Sequence, residues 1–550
     1  MSELHAPMRW WGWGDPATPA VLPAHALGFL RESVGVSERQ RPPVALEQVE
    51  LEPSRLDESE VGALEAIVGS DWVRTDHPER VLHAAGKGYV DLVRLRAGRP
   101  DGAPDVVVHP DRHEQLRALL EHCAAHSLAV VPFGGGTSVV GGLAPLRGSH
   151  AAVVSLDTGR MDGVLALDHE SATVRVGAGI RGPELERHLE IRGLTLGHFP
   201  QSYEHVSLGG CAATRSAGQA STGYGSIEKM VLGLRLAAPT GEIDLPPLPA
   251  SAAGPSVRQL VVGSEGTLGI ISEVSLRVRA APREKRYEGV FFQDFATGVE
   301  ALRQLAREHA LPDVARLSDE SETRMSLALA GSDGVKSRLG ALYLGARGYS
   351  EGCLAILGFE GSPEDVEQRR KRAFGLIRRH GGALAVGRSP GRAWEHGRYA
   401  APYLRDDLLT HGVMVETLET ATQWSNVARV HREVGGAIAR ALQGGGTPGL
   451  VMCHISHVYE SGCSLYFTFL ARQREGEEVE QWREAKRAAC EAIVANEATI
   501  THHHAVGTDH APWMVNEVGA DALRGLRALK AELDPAGIMN PGKLLGDAAG

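Results

Sequence analysis

The chain has 550 residues, a formal net charge of −11 and 43% hydrophobic residues, so it is long and apolar enough for several domains with large buried cores. The acidic balance disfavours a nucleic-acid partner, because such partners bind basic surfaces. No apolar run reaches the roughly 20 residues of a membrane-spanning helix. The chain has six scattered cysteines without a CxxC pair, and its first residues lack a basic-then-apolar signal pattern. Both observations favour a reducing, cytoplasmic location.

Residues 1–99 are predicted to form a largely helical N-terminal extension. They begin with an aromatic segment, RWWGWGDP at 9–16, which is too rich in glycine to be a helix. Apolar residues recur at helical spacing within 57–68, which predicts a helix there. A glycine and proline turn at 98–102 ends the region.

Residues 100–281 alternate between strand and helix patterns, which is typical of an α/β unit. Short runs of valine and leucine predict buried strands, and one amphipathic stretch predicts the helix that connects the first two. The predicted elements are strands at 106–108, 128–133, 151–156, 164–167 and 173–176, helices from Asp111 and over 183–191, and a strand over 270–278 that closes the unit.

Residues 282–500 repeat a pattern of strand, helix and strand, which predicts a sheet covered by helices that could lie over a binding site. We interpret them as a substrate-binding cap domain, followed by a C-terminal segment at 501–550. The predicted elements are 287–292, 295–309 and 314–317, then 354–359, 363–380 and 383–386, and finally 413–418, a helix after Gln423, and 450–455.

Glycine is the unusual component, with 66 residues where average usage of about 7% would give far fewer. Three glycine-rich and hydroxyl-rich segments follow or precede buried strands, at 132–142, 200–218 and 261–271. Glycines after a strand let backbone N–H groups converge on one point and let a phosphate approach closely. A single segment of this kind is more often a surface turn, but three indicate a common ligand.

The candidate cofactor-binding residues come from these three segments. They are Pro132, Phe133, Gly134, Gly135, Gly136, Thr137, Ser138, Gly142, Pro200, Gln201, Ser202, Ser207, Gly209, Gly210, Thr214, Arg215, Ser216, Gly218, Gly263, Ser264, Glu265, Gly266, Thr267, Gly269 and Ile270.

The order and spacing of these segments, with DPAGIMNPGK at 534–543, resemble the vanillyl-alcohol-oxidase/PCMH flavoprotein superfamily. The resemblance implies an α+β protein: a PCMH-type FAD-binding domain of two α/β subdomains at 100–281, and a cap domain at 282–500 with an antiparallel sheet covered by helices. It also implies that residues 501–550 return to the flavin site. Members with covalent flavin often carry histidine where this chain has Thr137, so we expect non-covalent FAD.

The aromatic opening, Leu465-Tyr466-Phe467 and a triple histidine at 502–504 resemble the alkyldihydroxyacetonephosphate synthase family over nearly the whole chain. That family replaces the acyl chain of an acyl-glycerone phosphate with a fatty alcohol, releasing a fatty acid, in a flavin-dependent reaction without net redox. The alternative is an FAD oxidase or dehydrogenase of a hydroxy acid or alcohol, although the GDGNLH-like and GEHG segments of such enzymes are absent. A flavin-binding protein without catalysis is a third possibility.

The resemblance assigns Tyr466 as the base for the substrate's C1 proton, Arg405 as the phosphate-binding residue and Arg316 as a further catalytic arginine. A phenol with a pKa near 10 needs nearby positive charge to act as a base. Each residue has an ordinary structural alternative. Tyr466 could be a core aromatic on a strand, and Arg405 could form an ion pair with the adjacent aspartate. Arg316 lies on a predicted apolar strand, where an unpaired charge would be costly.

The resemblance places His502, His503 and His504 near the leaving carboxylate, which a protonated imidazole would stabilise. Three consecutive side chains rarely converge on one ion and no carboxylate lies at suitable spacing, so we expect no metal. His454 and His457 are weaker candidates with structural or supporting roles. The expected partner is a small-molecule or lipid substrate, with peripheral membrane contact as a possibility and a homodimer by analogy alone.

Overall fold

The computed structural model describes residues 8–14, 21–36, 39–330 and 342–546. Asp15 and Pro16 of the aromatic segment, and residues 547–550 of the predicted C-terminal segment, lie outside the described residues. Among the described residues, no helix has both the length and the apolar character that crossing a membrane would require.

The first sheet has four strands and is mostly parallel. Only its outermost short strand is antiparallel to its neighbour. The helix predicted from Asp111 begins at His113, because the Asp111 N–H is held by the Gln115 side chain before the helix starts. Phe133 pairs with Asp157 at the carboxyl edge of the sheet, where the first glycine segment begins. The strand order is Val73–Arg74, Val106–Val108, Ala152–Asp157, Leu128–Phe133, with helices Glu58–Val68 and His113–Ala125 packed on its apolar core.

The second sheet has five antiparallel strands, and the strand predicted over 270–278 is present as Ile270–Arg277, the last strand of this sheet along the chain. It lies at the centre of the sheet, because the hairpin of Val231–Ala238 and Gly241–Leu245 pairs with its other edge. That hairpin was not predicted from the sequence. The strand order is Val164–Asp168, Thr173–Gly177, Ile270–Arg277, Val231–Ala238, Gly241–Leu245, and helices Gly182–Glu190 and Leu208–Ala213 share its core.

The cap contains a seven-stranded sheet, as the repeated pattern predicts, and its strands are antiparallel, as the resemblance implies. The two longest strands, Val413–Gln423 and Gly462–Arg472, pair along their whole length, and this register sets Glu419 opposite Tyr466. The order is Ala383–Gly387, Glu284–Phe292, Cys353–Gly361, Val314–Ser318, Leu450–Ile455, Gly462–Arg472, Val413–Gln423. Helices Phe295–Arg307, Pro363–His380, Val427–Gly444 and Glu478–Ala495 bury their apolar faces in the same core.

The remaining elements connect these sheets. A small two-stranded sheet pairs Leu194–Thr195 with Arg279–Ala280. The further helices are Ala24–Val34, His77–Leu82, Tyr89–Arg96, Ser221–Tyr224, Ile227–Met230, Val257–Val261, Glu320–Ala330, Arg388–Gly397, Ala401–Thr410, Met514–Val518 and Ala520–Leu533, and the 3-10 turns are Leu46–Gln48, Ser70–Trp72, Thr158–Arg160, Trp424–Asn426 and Ala511–Trp513. The predicted α+β architecture is confirmed.

Candidate active site

The first glycine segment forms a loop with free backbone donors. Within the described part of the chain, the N–H groups of residues 135–138 donate no hydrogen bond to the protein. A Cβ at Gly134 would overlap the Ser207 hydroxyl, so only glycine lets the first and second segments meet this closely. Consecutive unpaired N–H groups after a buried strand form a cradle for an anion. The loop therefore fits the pyrophosphate of FAD.

The second glycine segment joins that loop to the cap. Ser207 caps the short helix Leu208–Ala213 by accepting the Gly210 N–H at 3.2 Å. Just before it, the Gln201 side chain donates to the Arg398 carbonyl of the cap at 2.7 Å. Tyr203 also stacks on Tyr399 of the cap, with ring centroids 5.4 Å apart. Residues 200–210 therefore lie between the predicted cofactor loop and the cap.

Several predicted cofactor residues hold the segments to one another. Thr214 donates to the Gly210 carbonyl at 2.9 Å, and Ser216 bonds the His198 ring at 3.1 Å. The Arg215 guanidinium contacts Glu228 at 3.3 Å and the Gln259 carbonyl at 2.8 Å. These side chains are engaged with protein groups, so their predicted contribution to FAD binding would be made through the backbone or through the shape of the segment.

The third segment is fastened by the C-terminal residues. The Glu265 carboxylate accepts the N–H groups of Val506 and Gly507 at 2.8 and 2.7 Å. Burial raises its pKa to about 7 despite these bonds. The Glu265 carbonyl accepts the Asn540 amide at 2.7 Å, and Lys530 donates to the Thr267 carbonyl at 2.9 Å. Both halves of the C-terminal segment therefore pack on the glycine loops.

The triple histidine and Tyr466 come together against the cap sheet. Tyr466 has its ring centroid 5.4 Å from that of His504 and 6.1 Å from that of His503. On its other side it stacks on His454 at 4.7 Å. His457 stacks on His502, also at 4.7 Å. The structure thus brings the predicted base and the predicted histidines into one cluster.

Glu419 holds this cluster together, although it was not among the residues predicted from the sequence. Its carboxylate accepts the backbone N–H groups of His502, His503 and His504, the latter two at 2.9 and 2.7 Å, and the Thr501 hydroxyl at 2.8 Å. Glu419 is 1% exposed. Burial alone would raise its pKa, but the three histidines and their N–H groups outweigh burial and hold the pKa well below its usual value. The only signal in the sequence was an acidic residue directly after the strand predicted over 413–418.

Replacing Glu419 with glutamine is expected to lower kcat/KM by about 100-fold, because the amide offers one acceptor oxygen where the carboxylate offers two and leaves buried N–H groups unpaired. The free energy of unfolding should fall by about 3 kcal/mol. Steady-state kinetics and urea unfolding measure the two effects. Glu433→Gln, at a half-exposed position on a cap helix, is the matched control. A Glu419→Gln enzyme with unchanged stability and turnover would contradict this role.

The protonation states differ from the sequence-based expectation. Burial lowers the pKa of His502, His503 and His504 to about 4, so at neutral pH these rings are neutral and the protonated imidazole expected from the sequence is not present. A neutral imidazole still offers one N–H donor. Burial raises the pKa of Tyr466 to about 12, although the nearby Arg405 cation lowers it.

Arg405 is buried without an acidic partner. It is 6% exposed, and its guanidinium donates to the Lys87 carbonyl at 3.1 Å. No ion pair joins it to a carboxylate among the described residues. The adjacent Asp406, offered above as the alternative partner, instead accepts Arg9 at 3.2 Å and the Trp13 N–H at 3.0 Å. A buried, uncompensated guanidinium is a ready binding group for a phosphate.

Arg316, by contrast, is paired. Its guanidinium lies 2.8 Å from the Glu322 carboxylate and 3.1 Å from the His454 ring nitrogen. Burial favours the neutral acid, but His454 and Arg316 outweigh it and hold the pKa of Glu322 at about 2. Because His454 stacks on Tyr466, Arg316 is connected to the cluster through one intervening ring.

Three histidines offer nitrogens close enough to share a metal ion. One ring nitrogen from each of His457, His502 and His503 lies within 4.8 Å of the others. Several of their nitrogens already have protein partners: His457 bonds Ser221 at 2.5 Å, His502 bonds Tyr459 at 2.5 Å, and His502 and His503 bond each other at 2.9 Å. Both ring nitrogens of His502 are therefore engaged with protein groups. Ser221 and Tyr459 carried no signal in the sequence.

Comparison with known proteins shows which families this chain resembles. One family model, described as an FAD binding domain, matches residues 104–244, and another, the C-terminal domain of FAD linked oxidases, matches residues 281–544. The chain is similar to alkyldihydroxyacetonephosphate synthase of Dictyostelium discoideum, with 33% identity over 99% of this chain and 94% of that protein. The predicted FAD cofactor is thereby confirmed.

Two solved structures agree with the fold. One of an alkyldihydroxyacetonephosphate synthase superimposes with a TM-score of 0.86 at 31% identity, covering 99% of this chain and 100% of that one. p-Cresol methylhydroxylase with substrate bound superimposes with a TM-score of 0.65 at 16% identity, covering 90% of this chain and 98% of that one. The second match shows a shared PCMH-type fold.

Proposed function

Because this chain belongs to the alkyldihydroxyacetonephosphate synthase family, we propose that it converts an acyl-glycerone phosphate and a fatty alcohol into an alkyl-glycerone phosphate and a fatty acid, with no net redox. The observation that carries the proposal is Arg405, a buried cation without an acidic partner. It is close enough to Tyr466 and His504 to lower the pKa of both side chains. An alcohol substrate without an anionic group would leave this cation unpaired, whereas a phosphate supplies the charge and the paired acceptors that a guanidinium binds.

We assign the roles of the side chains from this arrangement. Arg405 binds the substrate phosphate, and the phenolate form of Tyr466, which the nearby Arg405 charge favours, takes the C1 proton on its oxygen. His503 and His504, neutral but with one N–H each, donate to the departing fatty carboxylate and favour its release. Arg316 acts through His454, which stacks on Tyr466. Glu419 keeps the histidine backbone in place.

The candidate residues of the three glycine segments would hold FAD, with the N–H groups of residues 135–138 on its pyrophosphate. Bound FAD would supply an electron-accepting ring. The fit rests on the unpaired N–H groups and on the close approach at Gly134. Thr137 offers no imidazole for attachment, which supports non-covalent binding.

Anaerobic mixing of the holoenzyme with acyl-glycerone phosphate and isotope-labelled fatty alcohol tests the function. We expect labelled ether product and free fatty acid, with flavin still oxidised at the end of turnover. Flavin bleaching by hydroxy acids or alcohols without alkyl transfer would establish the oxidase or dehydrogenase alternative instead. Acid precipitation should release the flavin into the supernatant, whereas a covalent flavin would stay with the protein.

We also propose a reducing, cytoplasmic setting, a lipid substrate that allows peripheral membrane contact, and a homodimer. The first is supported by the six cysteines, which are all buried and free. The lipid substrate follows from the proposed reaction. The dimer rests on analogy alone.

A further inference from the structure

The aromatic N-terminal segment, which the proposed function leaves without a role, lies against the helix that carries Arg405. Residues 8–14 fold into a turn, closed by a bond from the Arg9 N–H to the Gly14 carbonyl at 3.0 Å. The Trp13 side chain, 3% exposed, is buried in the core of the cap. We call residues 8–14 the N-terminal strap. Its position is fixed even though it lies almost 400 residues from Arg405 in the sequence.

The strap is bound to Arg405's neighbour in the chain. Both oxygens of the Asp406 carboxylate lie 3.0 Å from the Trp13 N–H, and one accepts Arg9 at 3.2 Å. The same carboxylate occupies the space that a side chain at Gly12 would need, so the strap can reach it only with glycine at that position. Asp406 is 2% exposed. The helix Ala401–Thr410 is thus held at the residue that follows Arg405.

Lys87 connects this strap to both parts of the active site. Its ammonium, in a residue that is 2% exposed, donates to the carbonyls of Arg9 at 2.8 Å and Trp10 at 3.2 Å. Its own carbonyl accepts the Arg405 guanidinium at 3.1 Å. Its N–H donates to the Ser138 carbonyl of the first glycine loop at 2.6 Å. One residue therefore contacts the strap, the proposed phosphate-binding arginine and the proposed cofactor loop.

We propose that Lys87, held by the N-terminal strap, is a positioning residue that sets the Arg405 guanidinium at a fixed place relative to the cofactor loop. The inference rests on the proposed function, since it gives Arg405 a phosphate to bind. A buried ammonium bonded to two strap carbonyls restrains the main chain at residue 87, and that main chain carries both the acceptor for Arg405 and the donor to Ser138. In this proposal the strap aligns the phosphate site with the flavin site.

Lys87→Met tests this, because it removes the ammonium and keeps the backbone groups that contact Arg405 and Ser138. Calorimetry on the holoenzyme measures the Kd of dihydroxyacetone phosphate and of a fatty alcohol. We expect the Kd for the phosphate ligand to rise at least about 10-fold, since small misplacements of a binding group have effects of this size. The Kd for the alcohol and the FAD content should stay as in the wild type. Lys371→Met, on an exposed cap position, is the matched control.

The outcomes separate this inference from the proposed function. If the wild type binds dihydroxyacetone phosphate and Arg405→Ala does not, while Lys87→Met binds like the wild type, the positioning role is overturned and the function stands. If Lys87→Met weakens both ligands alike or loses FAD, Lys87 is a general structural residue and the inference is again overturned. A wild type that does not bind the phosphate ligand overturns both. Should Lys87→Met fail to fold, Asp406→Asn, which removes the charge that holds Arg9, carries the same expectation.

The double variant gives an independent reading. If Lys87 acts through Arg405, adding Lys87→Met to Arg405→Ala should change the residual kcat/KM by less than about 2-fold, because coupled residues are not additive. A further loss equal to that of the single variant would show that Lys87 acts by another route and would contradict the proposal.

Discussion

Arg405→Ala is expected to reduce kcat/KM for acyl-glycerone phosphate by about 1,000-fold, which corresponds to about 4 kcal/mol. The reason is that a guanidinium binds phosphate through charge-assisted, paired hydrogen bonds, and this variant removes the guanidinium. The protein should still bind one FAD, because the Arg405 side chain bonds the Lys87 carbonyl and none of the three glycine segments.

Two further variants make this result specific. Arg405→Lys keeps the charge but loses the planar fork, so an intermediate loss is expected. Arg429→Ala, at a half-exposed arginine of a cap helix, should match the wild type. Flavin absorbance and steady-state kinetics measure both quantities. Loss of flavin from Arg405→Ala would mean that this arginine belongs to the cofactor site or stabilises the fold. Full activity of Arg405→Ala would show that Arg405 does not bind the substrate phosphate.

The elements predicted best from the sequence are those determined by local pattern. The cap helix at 363–380 and the strand at 450–455 have the predicted bounds, because a polar N-cap or a short apolar run is visible without knowing the fold. The central place of Ile270–Arg277 was not predictable in this way. It depends on pairing with the hairpin at 231–245, which is a long-range contact.

The site shows the same division. The glycine segments were found because three such segments in one chain are unusual, whereas Tyr466 was found only through the resemblance to the synthase family. Glu419 and Lys87 were missed because a lone acidic or basic residue in the sequence is usually solvated, and only the fold shows each one buried among backbone partners. The neutral state of His502, His503 and His504 was missed for a related reason. Burial lowers their pKa, and the sequence alone does not show which side chains the fold buries.

Tyr466→Phe is expected to lower kcat by about 1,000-fold, within the range for loss of a positioned general base. The change removes only the hydroxyl, so the stacked contact with His454 and the strand pairing are kept. FAD content and the affinity for dihydroxyacetone phosphate should match those of the wild type. Arg405 and the glycine segments, which supply those contacts in the proposal, are unchanged. A wild-type kcat for Tyr466→Phe would show that Tyr466 is a core aromatic and not the base.

The pH dependence distinguishes a base from a hydrogen-bond donor at this position. Burial raises the pKa of Tyr466 to about 12, against the lowering effect of Arg405, so the hydroxyl keeps its proton at neutral pH. If the phenolate is the reactive form, kcat/KM rises about 10-fold for each pH unit below that pKa. The residual activity of Tyr466→Phe would lack this rise. A flat wild-type profile would instead mean that Tyr466 acts as a protonated donor and that the C1 proton is taken by another group.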